Sequence, residues 1–508
     1  MRKISLIILV IAVCFGAKAQ GGYDIKINIK NFKDSTAYLA KYVFDQTYIA
    51  DTCKKVKNGV VEFKGKTALD KGVYIFVNQD KAFFFEFLVN ESQKFTINLD
   101  EKNIGATVSS PNSKENEQLF SYLKFTSQKN VEFDETRLTT AGKSKEDSIK
   151  IMKAKITQLE EDVKKFDKEY MEKVKGTFIY DFMNLKTEKL ATDVPKASNG
   201  RPDSIYQYYY YKSHFFDGVN FKDDRICRTP SFDDRVKKYF ESVIAQHPDT
   251  LIQEIDKILG RCDQGNLCYN AMLGYFTYKN EQSKVVGFDK VFLHMVDSFI
   301  LAGKAKTIYP GEETIKLFSE RSKIMNPLLE GKKVPDLYMI DTINAPIVRK
   351  MGFDTAHSVK SITDLYYKNE RKLGNLFVRL HDVEAKYTIL VFWAADCGHC
   401  QKEIPKLSEN MKQLKGKVDV KVFAVETKDD QYTQWKKFLV ENKISDFINV
   451  YDPVHLNNVK EKFDVNSTPL IYVLDKDKKI ITKKIASEYV VDLIKNLEKQ
   501  STETGKKP

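Results

Sequence analysis

The stretch VFWAADCGHCQKEIPKL, Val391–Leu407, decides how the last third of the chain is read. An apolar run ends at Trp393, and Cys397 and Cys400 follow with only Gly398 and His399 between them. The run before them has the length and composition of a buried strand, and the residues after them have a helical pattern. Cys397 is therefore expected at a helix N-terminus, where unpaired N–H groups and the helix dipole favour a thiolate. Cys400 lies one turn further on, close enough to attack a disulfide formed by its neighbour. His399 can tune Cys397 by supplying positive charge or a hydrogen bond. A better stabilised thiolate makes the couple more oxidising, and a potential between about −270 and about −180 mV is expected. Structural zinc would want a second ligand pair. Covalent haem would want a histidine directly after the second cysteine, where Gln401 stands. An inert staple would not need a strand-to-helix setting. No metal and no cofactor is expected.

Around this stretch, strand-like YTILVFWAA, VDVKVFAVET, LIYVLD and KKIITKKI alternate with helical QWKKFLVEN, NNVKEKFDV and SEYVVDLIKNLEK. That alternation predicts an α/β domain over 331–500, beginning near GKKVPDLYMID, with helices on both faces of its sheet. The closing STETGKKP, 501–508, has no apolar residue and is expected to be a disordered tail.

Upstream, 20–108 reads as all-β. Ile25, Ile27 and Ile29 alternate with Lys26, Asn28 and Lys30, and further short runs (TAYLAKYV, VVEFKGK, GVYIFVN, AFFFEFLV, KFTINLD) follow with turn residues between them. A small antiparallel sandwich or barrel with a binding or scaffolding role is expected. Residues 109–330 read as an all-α middle. There Ile149, Met152, Ile156, Leu159, Val163, Phe166 and Tyr170 form a heptad stripe. It can serve as a homodimer seam or pack against its own domain, and the second is the commoner use. YQYYYYKSHFF, Tyr206–Phe216, reads as helix-packing aromatics rather than a sugar or peptide platform. Cys262 and Cys268 flank a probable-turn sequence, DQGNL, that would suit a short-range disulfide. Connectivity is not readable from spacing, and Cys53 and Cys227 stay unassigned.

The first nineteen residues, 1–19, place Arg2 and Lys3 before an apolar run from Ile4 to Phe15, with small residues at Ala17 and Ala19. This is the pattern of a secretory signal, too short to span a bilayer comfortably. Val13 stands where lipidation of Cys14 would call for a small residue, which argues against an anchor there. An exported chain, in the periplasm or cell envelope, is expected. Of the net charge of +12, Arg2, Lys3 and Lys18 leave with the leader. The remainder is a mildly basic surface without a dense Lys/Arg block, which argues against nucleic-acid binding. In an oxidising compartment the six remaining cysteines are too few for a disulfide scaffold.

The segment FWAADCGHC, Phe392–Cys400, resembles the active site of the thioredoxin superfamily. Pro405 sits where that family's active-site helix kinks, and Ser467-Thr468-Pro469 resembles its cis-proline loop. The resemblance implies that Cys397 attacks, Cys400 resolves, and Thr468 and Pro469 meet the backbone of a substrate chain. Trp393 is placed with that substrate-binding set, as packing around the site rather than as a reactant. Within the superfamily the likeness is to exported TlpA/ResA-type proteins, through VPDLYMID, the FWA(x)2CxxC core and Glu403. It implies a proton-shuttling role for Glu403, reduction of envelope protein disulfides, and a membrane or periplasmic electron donor or acceptor. Ordinary thioredoxins keep a buried aspartate where Val391 stands here, a departure that favours the TlpA/ResA reading. The CGHC dipeptide leans the other way, toward oxidation or isomerisation. A peroxidase would place a threonine and proline ahead of a lone cysteine, and this chain does not. The long N-terminal region leaves a third reading, a binding or scaffold protein with a regulatory redox domain.

Overall fold

The computed structural model describes residues 21–283 and 285–504, with side chains described to 501. The leader expected over 1–19, Cys14 included, lies outside the described residues. So does the end of the tail, but residues 501–504 continue the last helix, Val490–Thr504, where disorder was expected. Nothing in STET stops a helix; the first glycine is Gly505.

The chain divides into two compact units. Among the described residues, the first runs to Ala245 and takes in Lys257–Met272; the second comprises Gln246–Asp256 and the chain from Leu273 onward.

The first unit opens with seven strands: β1 (Gly21–Lys30), β2 (Ala37–Val43), β3 (Gln46–Cys53), β4 (Val60–Thr67), β5 (Gly72–Asn78), β6 (Phe84–Val89) and β7 (Lys94–Asp100). They make two sheets, in the orders β4-β1-β7 and β3-β2-β5-β6. Ile25, Ile27 and Ile29 are buried while their alternate neighbours are not, as the period-2 pattern requires. Rings from the two sheets meet inside, Phe87 of β6 against Phe95 of β7 at 5.9 Å. Asn58 and Gly59 both take positive φ in the turn before β4, and a Cβ on Gly59 would lie 2.3 Å from the Ile29 carbonyl oxygen. An antiparallel arrangement was expected, and four of the five pairings are antiparallel, but β1 pairs parallel with β7. The parallel partner arrives only after the second sheet is built, so no hairpin turn in the sequence announces it.

A helical region follows. The heptad stripe lies on the helix Lys145–Val174, whose Phe166 stacks on Phe125 of the helix Lys114–Thr139 at 3.7 Å. Lys129–Asp162 and Lys155–Glu132 ion pairs flank the same hairpin. The stripe thus packs within its own unit along this stretch. The helix Ser204–His214 leaves Tyr206, Tyr208 and Tyr209 exposed, while Phe215 and Phe216 just beyond it are buried, so the aromatic run is only partly a packing element. Cys268 hydrogen-bonds Cys227, with Cys262 close by, so the sequence neighbours Cys262 and Cys268 are not the closest pairing. All six described cysteines are free thiols.

The second unit carries a seven-stranded sheet: β8 (Tyr338–Asp341), β9 (Phe377–Arg379), β10 (Tyr387–Trp393), β11 (Val420–Glu426), β12 (Ile448–Tyr451), β13 (Leu470–Leu474) and β14 (Ile480–Lys483). Its order is β14-β13-β10-β11-β12-β8-β9. β10, β11 and β12 run parallel, and the flanking pairs are antiparallel. All seven residues of β10 are buried, so it reads as a continuous apolar run rather than an alternating one. Ile389, Val391 and Trp393 join a core with Ile404 and Leu407 of the helix Cys400–Lys412 and Ile494 of the last helix. Leu390 and Phe392 join a second core on the opposite face, with Leu328, Val334 and Phe463. The domain's opening is fastened to its far edge: Gly331 and Val334 donate backbone hydrogen bonds to Ile480 and Lys478.

Candidate active site

β10 ends at Trp393, and the turn that follows hands the chain to the helix Cys400–Lys412. In that turn the Cys397 N–H donates to the Ala394 carbonyl at 3.1 Å, and the Gln401 side chain donates to the Ala395 carbonyl at 2.9 Å. Cys397 is half-buried and Cys400 is fully buried. Burial raises the Cys397 thiol, but hydrogen bonds from the Thr468 side chain and from the backbone N–H groups of Cys400 and His399 outweigh it and hold it below its ordinary value. Burial, first, pushes Cys400 up to about 12, and the neighbouring Cys397 adds to this. One sulfur is thus accessible and acidic, and the other enclosed and held as a thiol.

The Thr468–Pro469 bond is cis, and the Cys397 thiol donates to the Thr468 carbonyl at 3.4 Å. The loop Ser467–Pro469 and the two cysteines are therefore brought together. His399 caps the helix N-terminus with its side chain exposed, and its bond to Cys397 is through the backbone. Glu403 is half-buried in the first helical turn, and its carboxylate accepts a hydrogen bond from Ser487. Trp393 is wholly enclosed, with its ring 5.2 Å from Phe438. Its placement among substrate-binding residues is corrected here, because its strand is buried on both faces and no part of the indole reaches solvent. Pro405 lies inside the helix, where the resemblance places it.

Sequence reasoning missed Glu426. This last residue of β11 stands beside Trp393 in the strand register and is 2% exposed. Its carboxylate accepts from the Ala395 N–H at 3.0 Å and the Lys428 N–H at 3.1 Å. Burial, first, with Asp396 adding, pushes it up to about 8 despite those two bonds. Val391 is fully buried and carries no acid, so the buried carboxyl of this site comes from the adjacent strand. A glutamate closing the apolar run VFAVE was the available signal, but its position beside the cysteines depends on strand order.

An accessible, acidified thiol at a helix mouth, an enclosed partner thiol and a proline loop beside both define a thioredoxin-like thiol-disulfide oxidoreductase. Residues 366–483 match the AhpC/TSA family, and residues 23–119 match a domain of unknown function (DUF4369). Residues 366–483 are thus an AhpC/TSA-type segment within a thioredoxin-like domain. Among solved structures, a domain of a possible thiol-disulfide isomerase from Cytophaga hutchinsonii is 36% identical, covering 35% of this chain and 97% of that one, with a TM-score of 0.26. A thioredoxin-like protein from Bacteroides caccae is 15% identical, covering 60% and 98%, with a TM-score of 0.40. The thioredoxin domain of a thiol-disulfide oxidoreductase from Bacteroides vulgatus is 21% identical, covering 33% and 97%, with a TM-score of 0.25. No curated protein matched the chain. No described helix is long and apolar enough to cross a membrane.

Proposed function

We propose that the chain is an exported thiol-disulfide oxidoreductase that reduces disulfides of envelope proteins through Cys397 and Cys400. The Cys397 thiolate attacks one sulfur of a substrate disulfide. That S–S bond breaks, and the leaving thiolate takes up a proton. Cys400 then loses its proton and attacks the Cys397 sulfur, which releases the second substrate thiol. Two electrons pass to the substrate, and the domain is left with a Cys397–Cys400 disulfide. A dithiol reductant in the envelope or its membrane restores the pair. Thr468 and Pro469 meet the substrate backbone, and Glu403 moves protons at the helix end. His399 adds to thiolate stabilisation.

The observation that carries this reading is the asymmetry of the two sulfurs: Cys397 is half-buried and acidified by hydrogen bonds, while Cys400 is fully buried and held as a thiol. The direction is tested by the potential of the pair. A value near the thioredoxin end, about −270 mV, supports the reductant, and one near about −180 mV favours an oxidase or isomerase. Insulin reduction by the full chain, lost in Cys397→Ser, separates an enzyme from a scaffold with a regulatory redox domain.

A further inference from the structure

β6 ends the order β3-β2-β5-β6, so one side of it has no strand beside it. Its Phe85 and Phe87 stand opposite Phe76 and Tyr74 of β5, and the Phe83 carbonyl accepts the Asn78 N–H at 3.0 Å. In an antiparallel pair the backbone groups of alternate residues face opposite ways. The N–H and C=O groups of Phe84, Glu86 and Leu88 therefore point to the open side. At Leu88 that side is filled by a side chain acting as a strand would. Asn116 accepts the Leu88 N–H at 2.8 Å and donates to its carbonyl at 3.0 Å. Glu115 closes the next positions by accepting from the Asn90 side chain and the Glu91 N–H, at 2.6 and 3.0 Å. The outward backbone groups of Phe84 and Glu86 have no such partner among the described residues.

Beside that uncovered stretch lies a cavity of about 510 Å³, lined by Phe84, Ile104, Leu119, Leu123, Phe182 and Met183. Two charged groups also line it, and each is engaged by a neighbour. Glu86 accepts the Tyr42 hydroxyl at 2.6 Å, and the Lys186 ammonium lies 4.7 Å from the centre of the Phe182 ring. Phe84 is 61% exposed and Leu123 36%. Natural strand edges are usually guarded by a charge, a proline or a covering element. Here the guards stop at Leu88, and the strand before it presents phenylalanine to solvent.

We propose that the Phe84–Glu86 edge and this cavity bind an extended, apolar segment of another polypeptide as an added strand. The Glu86 N–H donates to that segment and the Glu86 carbonyl accepts from it, while apolar side chains of the segment fill the cavity. The backbone edge selects the occupant. A lipid chain or a small apolar molecule would fill the cavity but offer nothing to the Phe84 and Glu86 groups. A second copy of this chain would have to bring its own β6, whose open stretch is equally short and flanked by the same helix. An unstructured segment meets neither obstacle. The proposal concerns the first unit alone and does not depend on the chemistry of Cys397 and Cys400.

The probe is a fluorescein-labelled peptide, Lys-Thr-Val-Thr-Phe-Thr-Val-Thr-Lys, titrated with the full chain while its anisotropy is read. The same peptide N-methylated on every residue keeps its side chains but cannot donate to a strand. Saturable binding of the first is expected, and binding of the second weaker by about ten-fold or more. Glu86→Pro removes an N–H that β5 does not use, at the kind of edge position where a strand accepts proline. Leu123→Glu puts a charge into the cavity from a helix position already open to solvent. It leaves the strand intact and decides the matter if the proline variant does not fold. Each variant should weaken the peptide by about ten-fold or more. No binding by wild type, equal binding of the N-methylated peptide, or unchanged binding in either variant that folds overturns the proposal. Sedimentation that finds a dimer in wild type and a monomer in Leu123→Glu also overturns it, because the edge then serves a second copy.

Discussion

The Cys397 sulfur lies 3.4 Å from the Thr468 carbonyl oxygen, across 71 residues of sequence. The same threonine's side chain helps hold Cys397 below its ordinary value. Thr468→Val keeps the branched shape and the carbonyl but removes the hydroxyl. Its loss should raise Cys397 and slow iodoacetamide alkylation of that residue at pH 7 by about three- to ten-fold. An unchanged rate would mean that the hydroxyl contributes nothing to thiolate stability.

Glu426 also predicts a pH dependence of stability. Its folded value, about 8, lies above its ordinary 4.5. Between those values the folded chain holds a proton that the unfolded chain has lost. Stability therefore falls as pH rises from about 4.5 to about 8, by at most about 1.4 kcal/mol per pH unit from this group. Urea unfolding of Glu426→Gln should lack that component. Parallel pH profiles for the two proteins would remove the buried carboxyl from the account.

Lys483 of β14 and Asp289 of the helix Phe288–Met295 form an ion pair with both side chains 6% exposed. Lys483 also donates to the Leu328 carbonyl at 2.5 Å. Lys483→Met leaves Asp289 buried without its partner and should cost about 3–5 kcal/mol in urea unfolding. Adding Asp289→Leu should recover much of that loss. A single variant as stable as wild type would show that the aspartate finds water or another partner.

The cluster in the first unit makes a prediction about pairing. The Cys227 sulfur points to the Leu267 carbonyl at 3.9 Å, and the Cys268 sulfur to the Asp223 carbonyl at 3.6 Å, so each thiol faces the other's segment. With the two thiols in hydrogen-bond contact, mild oxidation should join Cys227 to Cys268. Peptide mapping that finds Cys262 joined to Cys268 would show that the segment between them rearranges.

Much of this domain was legible because its signals are local. A seven-residue apolar strand, a CxxC and a helical stripe follow one another from Tyr387 to Leu407, and Thr468-Pro469 precedes an apolar strand. What escaped depends on pairing between distant segments. Glu426 looks like one more charge before Lys428, Asp429 and Asp430 until β11 is set beside β10. The parallel β1–β7 contact and the Cys227–Cys268 approach are of the same kind. The stripe from Ile149 to Tyr170 marked its helix correctly, but its partner, Lys114–Thr139, has an apolar face too weakly ordered to announce the hairpin. The tyrosines at 206, 208 and 209 show the limit of composition: an aromatic residue on a helix need not face a core.

The central claim is that Cys397 attacks and Cys400 resolves, and the most direct measurement is capture. Cys400→Ser, reduced and then mixed with a protein disulfide, should accumulate a mixed disulfide that mass spectrometry places on Cys397 and that dithiothreitol releases. A covalent complex through any other cysteine, or none with the protein folded, would contradict it.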